Sequence, residues 1–172
     1  FIIIDLSSAE YYTTEQRREL VQKLCPRATS VGADGVIFVE YSNKLYWEYY
    51  NSDGTCVEMC GNGLRCVVQW ALDNYNVNKE VDLEIENSYI KSTAIFDDDG
   101  FHVSMPYPIY RHKKLTVSSY VGDCYKVGVP HVVIGVDDEL EFEDITLAGM
   151  HFIANAELTN TNMYYKVDDN TY

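Results

Sequence analysis

Basic residues are scarce in this chain of 172 residues, which has 13 Lys and Arg against 27 Asp and Glu and a net charge of −14. Proteins that bind nucleic acids neutralise phosphates with clustered Lys and Arg, so we expect no nucleic-acid partner. Long apolar runs are also lacking. No stretch of roughly 18 or more apolar residues occurs, so we expect no membrane span and no membrane partner.

The opening segment, FIIIDLSS, does not have the form of a signal peptide, because its apolar part is too short and no basic residue precedes it. The chain does not begin with Met, and we therefore expect the natural N-terminus to lie upstream.

Cysteines are few and odd in number: Cys25, Cys56, Cys60, Cys66 and Cys124. An odd count does not indicate a closed disulfide framework, so a reducing, cytoplasmic location is expected. The spacing of the central three lacks the paired knuckles of a zinc site and no His is near, so we expect no metal there.

Two helices are predicted. The first runs from Thr14 to Leu24, because Thr13 and Gln16 fit a capping box and Pro26 prevents its continuation. The second has apolar residues at helical spacing, which indicates a buried face. These residues are Leu64, Val67, Val68, Ala71, Leu72 and Tyr75.

The remaining patterns predict strands and turns, and the fold class is mixed α/β (α+β) with largely antiparallel sheet. Asp97 to Gly100 reads as a hairpin turn, and Pro106 and Pro108 mark a boundary between a domain of residues 1–104 and a second one of 105–172. Strands are predicted for 1–6 (buried), 36–41, 46–50, 81–86, 90–96, 101–105, 132–136 and 163–167, and a short helix for 145–152.

One segment, NSDGTCVEMCGNGLRC from Asn51 to Cys66, combines groups that carry chemistry. Cys60 directly precedes the second helix, where unpaired N–H groups and the positive end of the dipole favour a thiolate. A cysteine so placed can have its pKa lowered from ~8.5 to ~3.5–7.5. The following Gly61, Asn62 and Gly63 let a ligand approach the backbone, whose N–H groups can hold a carboxylate.

Together these features suit proton abstraction from the α-carbon of an amino acid. The residues alone leave a simpler interpretation open, in which Cys60 is a small buried residue at a tight turn. Cys56 and Cys66 are expected to face the core. Asn51 can likewise serve only to support the Asp53-Gly54 turn.

The pattern N-x-D-G-x-x-x-x-x-C-G-N-G-x-R in this segment resembles the signature of the diaminopimelate epimerase family. Three further segments resemble the family in the same order along the chain. They are Gly32–Gly35 (G-x-D-G), Gly128–His131 (G-N-P-H, with Val129 in place of Asn) and Asn160–Met163 (N-V-N-F) with the turn that follows it.

The resemblance implies two pseudo-symmetric α/β domains with the substrate between them, each a curved sheet around a central helix. It implies no pyridoxal phosphate, no other cofactor and no metal. Two cysteines, one from each domain, face opposite sides of the α-carbon of a small amino-acid substrate. One removes the proton as a thiolate and the other returns a proton as a thiol. This interconverts LL- and meso-diaminopimelate, on the route to lysine and peptidoglycan.

Carried over by position, Cys60 is one catalytic cysteine, and Gly61 and Asn62 bind the α-carboxylate and α-amino region. Asn51 and Asn160 match substrate-binding asparagines, and His131 matches the histidine of the G-N-P-H segment. The resemblance leaves open whether the protein is a homodimer.

The chain also departs from the family pattern. It lacks the opening H-G-x-G-N-D segment, the E-R-G segment and the second cysteine in C-G-T-G. Cys124 is no substitute, because it precedes the Gly128–His131 segment. We therefore expect a truncated piece whose second domain is incomplete and which is inactive alone.

Other functions stay open at this point. One is a related two-cysteine racemase or isomerase, and another is a non-enzymatic binding module. A thiol hydrolase would need a histidine partner for Cys60, and His131 is the candidate.

Overall fold

The computed structural model describes residues 1–7, 12–80, 82–117, 120–136 and 160–165. The chain divides into two compact units with the boundary after Pro106. We call residues 1–106 the N-terminal unit and residues 107–172 the C-terminal unit.

The elements of the N-terminal unit are β1 (Ile2–Asp5), α1 (Thr14–Leu24), β2 (Gly35–Tyr41), β3 (Leu45–Asn51), β4 (Cys56–Val57), α2 (Gly61–Asn74), β5 (Leu83–Glu86), β6 (Lys91–Asp97) and β7 (Gly100–Val103). The strands form a seven-stranded sheet with the order β1-β2-β3-β5-β6-β7, and β4 pairs with β3. The β1–β2 and β3–β5 pairs are parallel and the other pairs are antiparallel.

Helix α1 begins at a capping box, as predicted. The Thr13 hydroxyl accepts from the Gln16 backbone N–H, and the Gln16 side chain accepts from the Thr13 N–H at 2.9 Å. The helix covers one face of the sheet through Val21. It also contacts β3 through an ion pair, in which Arg17 Nη1 lies 2.5 Å from Glu48 Oε2.

Helix α2 covers the other face of the sheet, and its predicted apolar stripe is confirmed, since Leu64, Val67, Val68 and Ala71 are buried. Strand β2 lies between the two helices, which explains why its residues from Gly35 to Val39 are buried without alternation. The core against α2 adds Leu45, Trp47 and Tyr49 of β3, together with Leu83 and Ile85 of β5 and Ala94 of β6.

Most predicted strands of this unit are confirmed within a residue or two, including the hairpin at Asp97–Gly100. The expectation that residues 1–6 form a buried strand is wrong in one respect. Strand β1 is at the edge of the sheet, with one neighbour, and its residues are only half-buried. The short strand β4 was not predicted.

The strands of the C-terminal unit are β8 (Ile109–Val117), β9 (Tyr120–Val127), β10 (Val129–Val136) and β11 (Asn160–Tyr165). They form a four-stranded sheet with the order β11-β10-β9-β8, in which β10 and β11 are parallel. The sequence predicted β10 and β11 but not β8 and β9. The predicted helix at 145–152, the strand residues 166–167 and Val81 lie outside the described residues.

Within these described ranges, no helix has the length and apolar character that crossing a membrane requires. No group of three or more His, Cys, Asp or Glu side chains in the same ranges is placed to hold a metal ion. The cytoplasmic location stays a prediction.

Candidate active site

Cys60 is the N-cap residue of α2. Its backbone is extended (φ −143°, ψ 104°), and its carbonyl accepts the first helical hydrogen bond, from the Leu64 N–H at 2.8 Å. Its Sγ accepts from the Gly63 N–H at 3.4 Å. The thiol therefore occupies the place where a Ser or Asp side chain usually caps a helix.

Burial raises the pKa of Cys60 above its ordinary value, and the backbone N–H groups of Gly63 and Asn62 lower it by less. This corrects the expectation that the helix start lowers the pKa of this cysteine. The thiol is half-buried against the core around α2, and desolvation disfavours the charged form. Without a ligand, Cys60 is therefore a thiol near neutral pH.

The two glycines that flank Asn62 have different surroundings. A Cβ on Gly63 would come within 3.3 Å of both Cys60 Sγ and Ile37 Cδ1, so packing within the unit explains this glycine. A Cβ on Gly61 would meet only the Met105 side chain, at 3.5 Å, which is an ordinary contact. Packing among the described residues therefore does not explain why position 61 is a glycine. The lack of a Cβ leaves the backbone there open to a ligand.

Tyr49 contributes to the surroundings of Cys60, although the sequence did not single it out. It is on the face of β3 that packs against α2, in the same core cluster as Cys60. Burial raises its pKa to about 12, and the negative charge of an ionised Cys60 adds to this effect. The phenol is therefore neutral beside the thiol. Its ring also lies so close over Gly35 that a Cβ there would clash.

Asn51 ends β3, and its side chain supports the turn that follows. Its Nδ2 donates to Thr55 Oγ1 at 3.2 Å, and its N–H donates to the Thr55 carbonyl at 2.9 Å. Asp53 completes the turn by accepting from the Thr55 N–H at 2.8 Å and hydroxyl at 2.7 Å. These contacts favour the interpretation of Asn51 as a turn residue, and its substrate-binding role stays a prediction.

Helix α1 braces the same turn. Gln22 Nε2 donates to the Asp53 carbonyl at 2.7 Å, and Gly54, at φ 86°, lies against the Arg18 side chain. Asn62, in contrast, is exposed at the start of α2 and its side chain makes no hydrogen bond among the described residues. Its amide is therefore available to a ligand.

The other cysteines differ from Cys60 in exposure. Cys25 and Cys124 are buried and Cys56 is half-buried, with its pKa raised by burial. Cys66 is exposed, so the expectation that it faces the core is wrong. It lies on the side of α2 opposite to Leu64 and Val68.

In the C-terminal unit, two predicted site residues are brought together. His131 on β10 and Asn160 on β11 are Cα partners in the parallel pair. Asn160 Nδ2 donates to the Pro130 carbonyl at 3.2 Å, and His131 Nδ1 lies 2.9 Å from Asn162 Nδ2. Gly128 turns the chain into β10 with φ 70°, and Val129 begins that strand. Burial lowers the pKa of His131.

Asn51, Cys60, Gly61 and Asn62 thus belong to the N-terminal unit, whereas His131 and Asn160 belong to the C-terminal unit. The resemblance implies a substrate between two domains, and the binding of that substrate by Asn51 and Asn62 stays a prediction.

Comparisons with known sequences identify relatives of this chain. A family model described as diaminopimelate epimerase matches residues 1–106. The diaminopimelate epimerase of Hydrogenobaculum sp. is 33% identical over 191 residues, covering 100% of this chain and 68% of that protein. Those of Aquifex aeolicus and Methanothermobacter thermautotrophicus are each 33% identical, over 165 and 164 residues, covering 90% and 80% of this chain but only 59% and 56% of theirs.

Solved structures show the same fold at lower sequence identity. A phenazine biosynthesis protein of the PhzF family from Bacillus anthracis has a TM-score of 0.57 at 15% identity, covering 92% of this chain and 59% of that one. A PhzF-family protein from Enterococcus faecalis has a TM-score of 0.54 at 9% identity, covering 79% and 50%. These likenesses bear on fold alone, and they confirm the mixed α/β class.

Proposed function

The chain belongs to the diaminopimelate epimerase family, and on that basis we propose that it supplies one of the two thiols of a cofactor-independent diaminopimelate epimerase. The reaction is the interconversion of LL- and meso-diaminopimelate, which serves lysine and peptidoglycan synthesis. Cys60 is the thiol of this chain. The observation that carries the proposal is its position as the cap of α2, next to the unobstructed backbone of Gly61.

Cys60 exchanges a proton with one face of the substrate α-carbon. As a thiolate it takes the α-hydrogen as a proton, leaving the bonding electrons on carbon, while a second thiol protonates the opposite face. In the reverse direction Cys60 is the thiol that donates. Its raised pKa suits the donor state. Ionisation requires a nearby positive charge, and the α-ammonium group of the substrate is suited to lower the pKa of the thiol on binding.

The start of α2 holds the substrate carboxylate in this proposal. The first N–H groups of a helix have no intrahelical partner, and the dipole there favours an anion. The Gly63 N–H is directed to Cys60 Sγ, which leaves the N–H of Gly61 and the side-chain amide of Asn62 for the carboxylate. The carboxylate and the thiol then share one helix terminus, which places the α-carbon beside Cys60.

The second thiol comes from sequence beyond these 172 residues in our proposal. The chain spans 68%, 59% and 56% of the lengths of the three relatives named above. None of its other cysteines is followed by a Gly-x-Gly sequence, as the cysteine in C-G-T-G is. The 172 residues alone are therefore expected to bind substrate without epimerising it.

The test is a substrate panel with the protein produced from the coding region together with any flanking sequence. We expect conversion of LL- to meso-diaminopimelate, with other amino acids such as glutamate or proline left unchanged. The control is the 172-residue chain alone, which should show no turnover. Conversion of another amino acid in preference to diaminopimelate would instead identify a related racemase. Turnover by the 172-residue chain would contradict the two-thiol proposal.

A further inference from the structure

The side chain of Met105 adjoins the backbone of Gly61, and the sequence assigned this methionine no part in the site. A Cβ on Gly61 would lie 3.5 Å from Met105 Cε and 3.7 Å from Met105 Sδ. In the described part of the chain, nothing else beyond the neighbouring residues and the backbone of α2 comes within 4 Å of that position. The thioether therefore lies against the residue whose N–H we assign to the substrate carboxylate.

The main chain at Met105 is held in place on both sides. The N–H of Ser104 donates to the Thr93 carbonyl at 2.9 Å, and the Ser104 hydroxyl accepts from the Thr93 N–H at 2.8 Å. Pro106 follows Met105, and a residue before proline is restricted to extended conformations. The methionine backbone is thus fixed beside the start of α2, while its unbranched side chain keeps the freedom to adapt to a ligand.

Met105 differs from the other methionine near the site. Met59, directly before Cys60, is 5% exposed and belongs to the core against α2, whereas Met105 is 45% exposed. The core therefore does not require the Met105 thioether. The simpler explanation is that Met105 is one of the single apolar residues that protein surfaces commonly carry.

The position of Met105 gives it a further use, because the start of α2 is close to solvent. Gly61 is half-buried and Asn62 is exposed, so water competes with a carboxylate for their N–H groups. Hydrogen bonds and charge interactions are stronger where water is excluded. An apolar side chain beside these groups excludes water, and a thioether offers only a weak acceptor in competition with the carboxylate.

We propose that the Met105 thioether covers the carboxylate bound at Gly61 and shields its hydrogen bonds from water, which makes Met105 a further substrate-binding residue. The inference rests on the proposed function, because the carboxylate is that of the amino-acid substrate. Met105 carries no proton to exchange with the α-carbon. Its contact is made with substrate and transition state alike, so Met105 should affect KM and leave kcat unchanged.

The contact is tested by NMR of the protein with its flanking sequence, labelled with ¹³C in the ε-methyl groups of methionine. Met105 is assigned by the loss of its signal in Met105→Leu. We expect LL-diaminopimelate to shift the Met105 signal saturably, and to shift that of Met59 much less. The control ligand is cadaverine, which has the same carbon chain between its amines but no carboxylates, and it should shift neither signal.

Equal shifts at Met59 and Met105, or an equal shift with cadaverine, would overturn the proposed cover. A Met105 signal that stays unchanged while diaminopimelate is epimerised would also overturn it and leave the proposed function intact. A saturable shift without epimerisation has the opposite meaning, since the proposed function then fails and the cover over the carboxylate stands.

Kinetics separate a substrate contact from a structural role. Met105→Ala should raise KM for diaminopimelate about fivefold, because hydrogen bonds to the carboxylate become open to water. Met105→Leu restores an apolar cover and should restore KM. The matched control is Ile95→Ala on β6, an apolar residue that is 49% exposed, and it should leave KM unchanged. A fall in kcat without a rise in KM, or equal losses in Met105→Ala and Met105→Leu, would contradict the cover.

Discussion

The two helices of the N-terminal unit begin with different caps. Helix α1 has a complete capping box made by Thr13 and Gln16, and Glu15 adds an acidic side chain to its first turn. Helix α2 has a thiol, Cys60, as its cap, glycines on both sides of Asn62, and no acidic residue in its first turn. One start is built from residues that stabilise a helix, whereas the other is built from residues that rank low for that purpose.

This difference indicates where the chain favours chemistry over stability. An acidic residue at the start of α2 would complement the helix dipole, but it would also occupy the place of a substrate carboxylate. A serine or aspartate cap would hold the helix more firmly than a thiol. The start of α2 therefore stays open and positively polarised, and α1 provides the matched comparison.

The largest expected effect is that of Cys60→Ala. Removal of one proton carrier should lower epimerisation by ~10²–10⁴-fold or more, in the protein with its flanking sequence. Cys60→Ser should also be severely impaired, because an alcohol ionises far less readily than a thiol. Cys66→Ala is the control, since this exposed thiol is in the same helix. Equal losses in the two alanine variants would contradict the distinction between them.

A measurement of cysteine reactivity by alkylation also needs Cys66→Ala as its control. Because Cys66 is exposed and Cys60 is a half-buried thiol, an alkylating reagent will label Cys66 readily whatever its role. The labelling of Cys60 is therefore measured in the Cys66→Ala background, where bound diaminopimelate should slow it, because the substrate α-carbon lies beside the thiol and blocks the reagent.

A second test adds a negative charge to the start of α2. Asn62→Asp should stabilise α2 by ~0.3–1 kcal/mol in urea unfolding, because the new carboxylate complements the dipole. The same variant should lose more activity than Asn62→Ala, for which we expect about 1–3 kcal/mol of lost transition-state binding. The matched variant in α1, Glu15→Gln, should cost ~0.3–1 kcal/mol of stability with no change in kcat/KM. Full activity in Asn62→Asp would exclude a carboxylate at this terminus.

Gly61→Ala should have a smaller effect, which weakens substrate binding without lowering stability. A Cβ there contacts only the flexible Met105 side chain, so the folded protein should keep or slightly increase its stability. The methyl group would still obstruct a ligand on the backbone, and KM should rise about tenfold, equivalent to the loss of one hydrogen bond. Gly63→Ala provides the contrast, because its Cβ would press on Cys60 Sγ and should also change the pH dependence of the thiol. An unchanged KM in Gly61→Ala would contradict the proposal that a ligand contacts the backbone at this glycine.

The smallest effect is expected at the cap of α1. Thr13→Ala removes the hydroxyl that accepts from Gln16 N–H and should destabilise the chain by ~1 kcal/mol. Urea unfolding measures this loss, and kcat/KM should be unchanged. If activity falls in step with stability, the two helix starts do not differ in role as we infer.

The sequence predicted what depends on local patterns. The bounds of α1 followed from its capping box and proline, and the buried face of α2 followed from the spacing of Leu64, Val68 and Ala71. The same helical spacing places Cys66 on the exposed side, so its orientation was available from the sequence and was misjudged. Strands β8 and β9 lack a clear alternation, and the basic run from Arg111 to Lys114 hides the first of them.

What the sequence could not predict depends on tertiary contacts. The helix start alone favours a low pKa for Cys60, but packing against the core desolvates the thiol and reverses the direction. The contact between Asn162 and His131 requires the parallel register of β10 and β11, which no local pattern encodes. The nearness of Tyr49 to Cys60 likewise arises from the packing of β3 on α2.

The most direct test of the central claim, that Cys60 exchanges the substrate α-proton, is solvent deuterium incorporation at the α-carbon of diaminopimelate, followed by NMR in D₂O. We predict that the protein with its flanking sequence incorporates deuterium as it epimerises, that Cys66→Ala does so at the same rate, and that Cys60→Ala loses the face-specific exchange. Undiminished α-carbon exchange on both faces in Cys60→Ala would contradict the account.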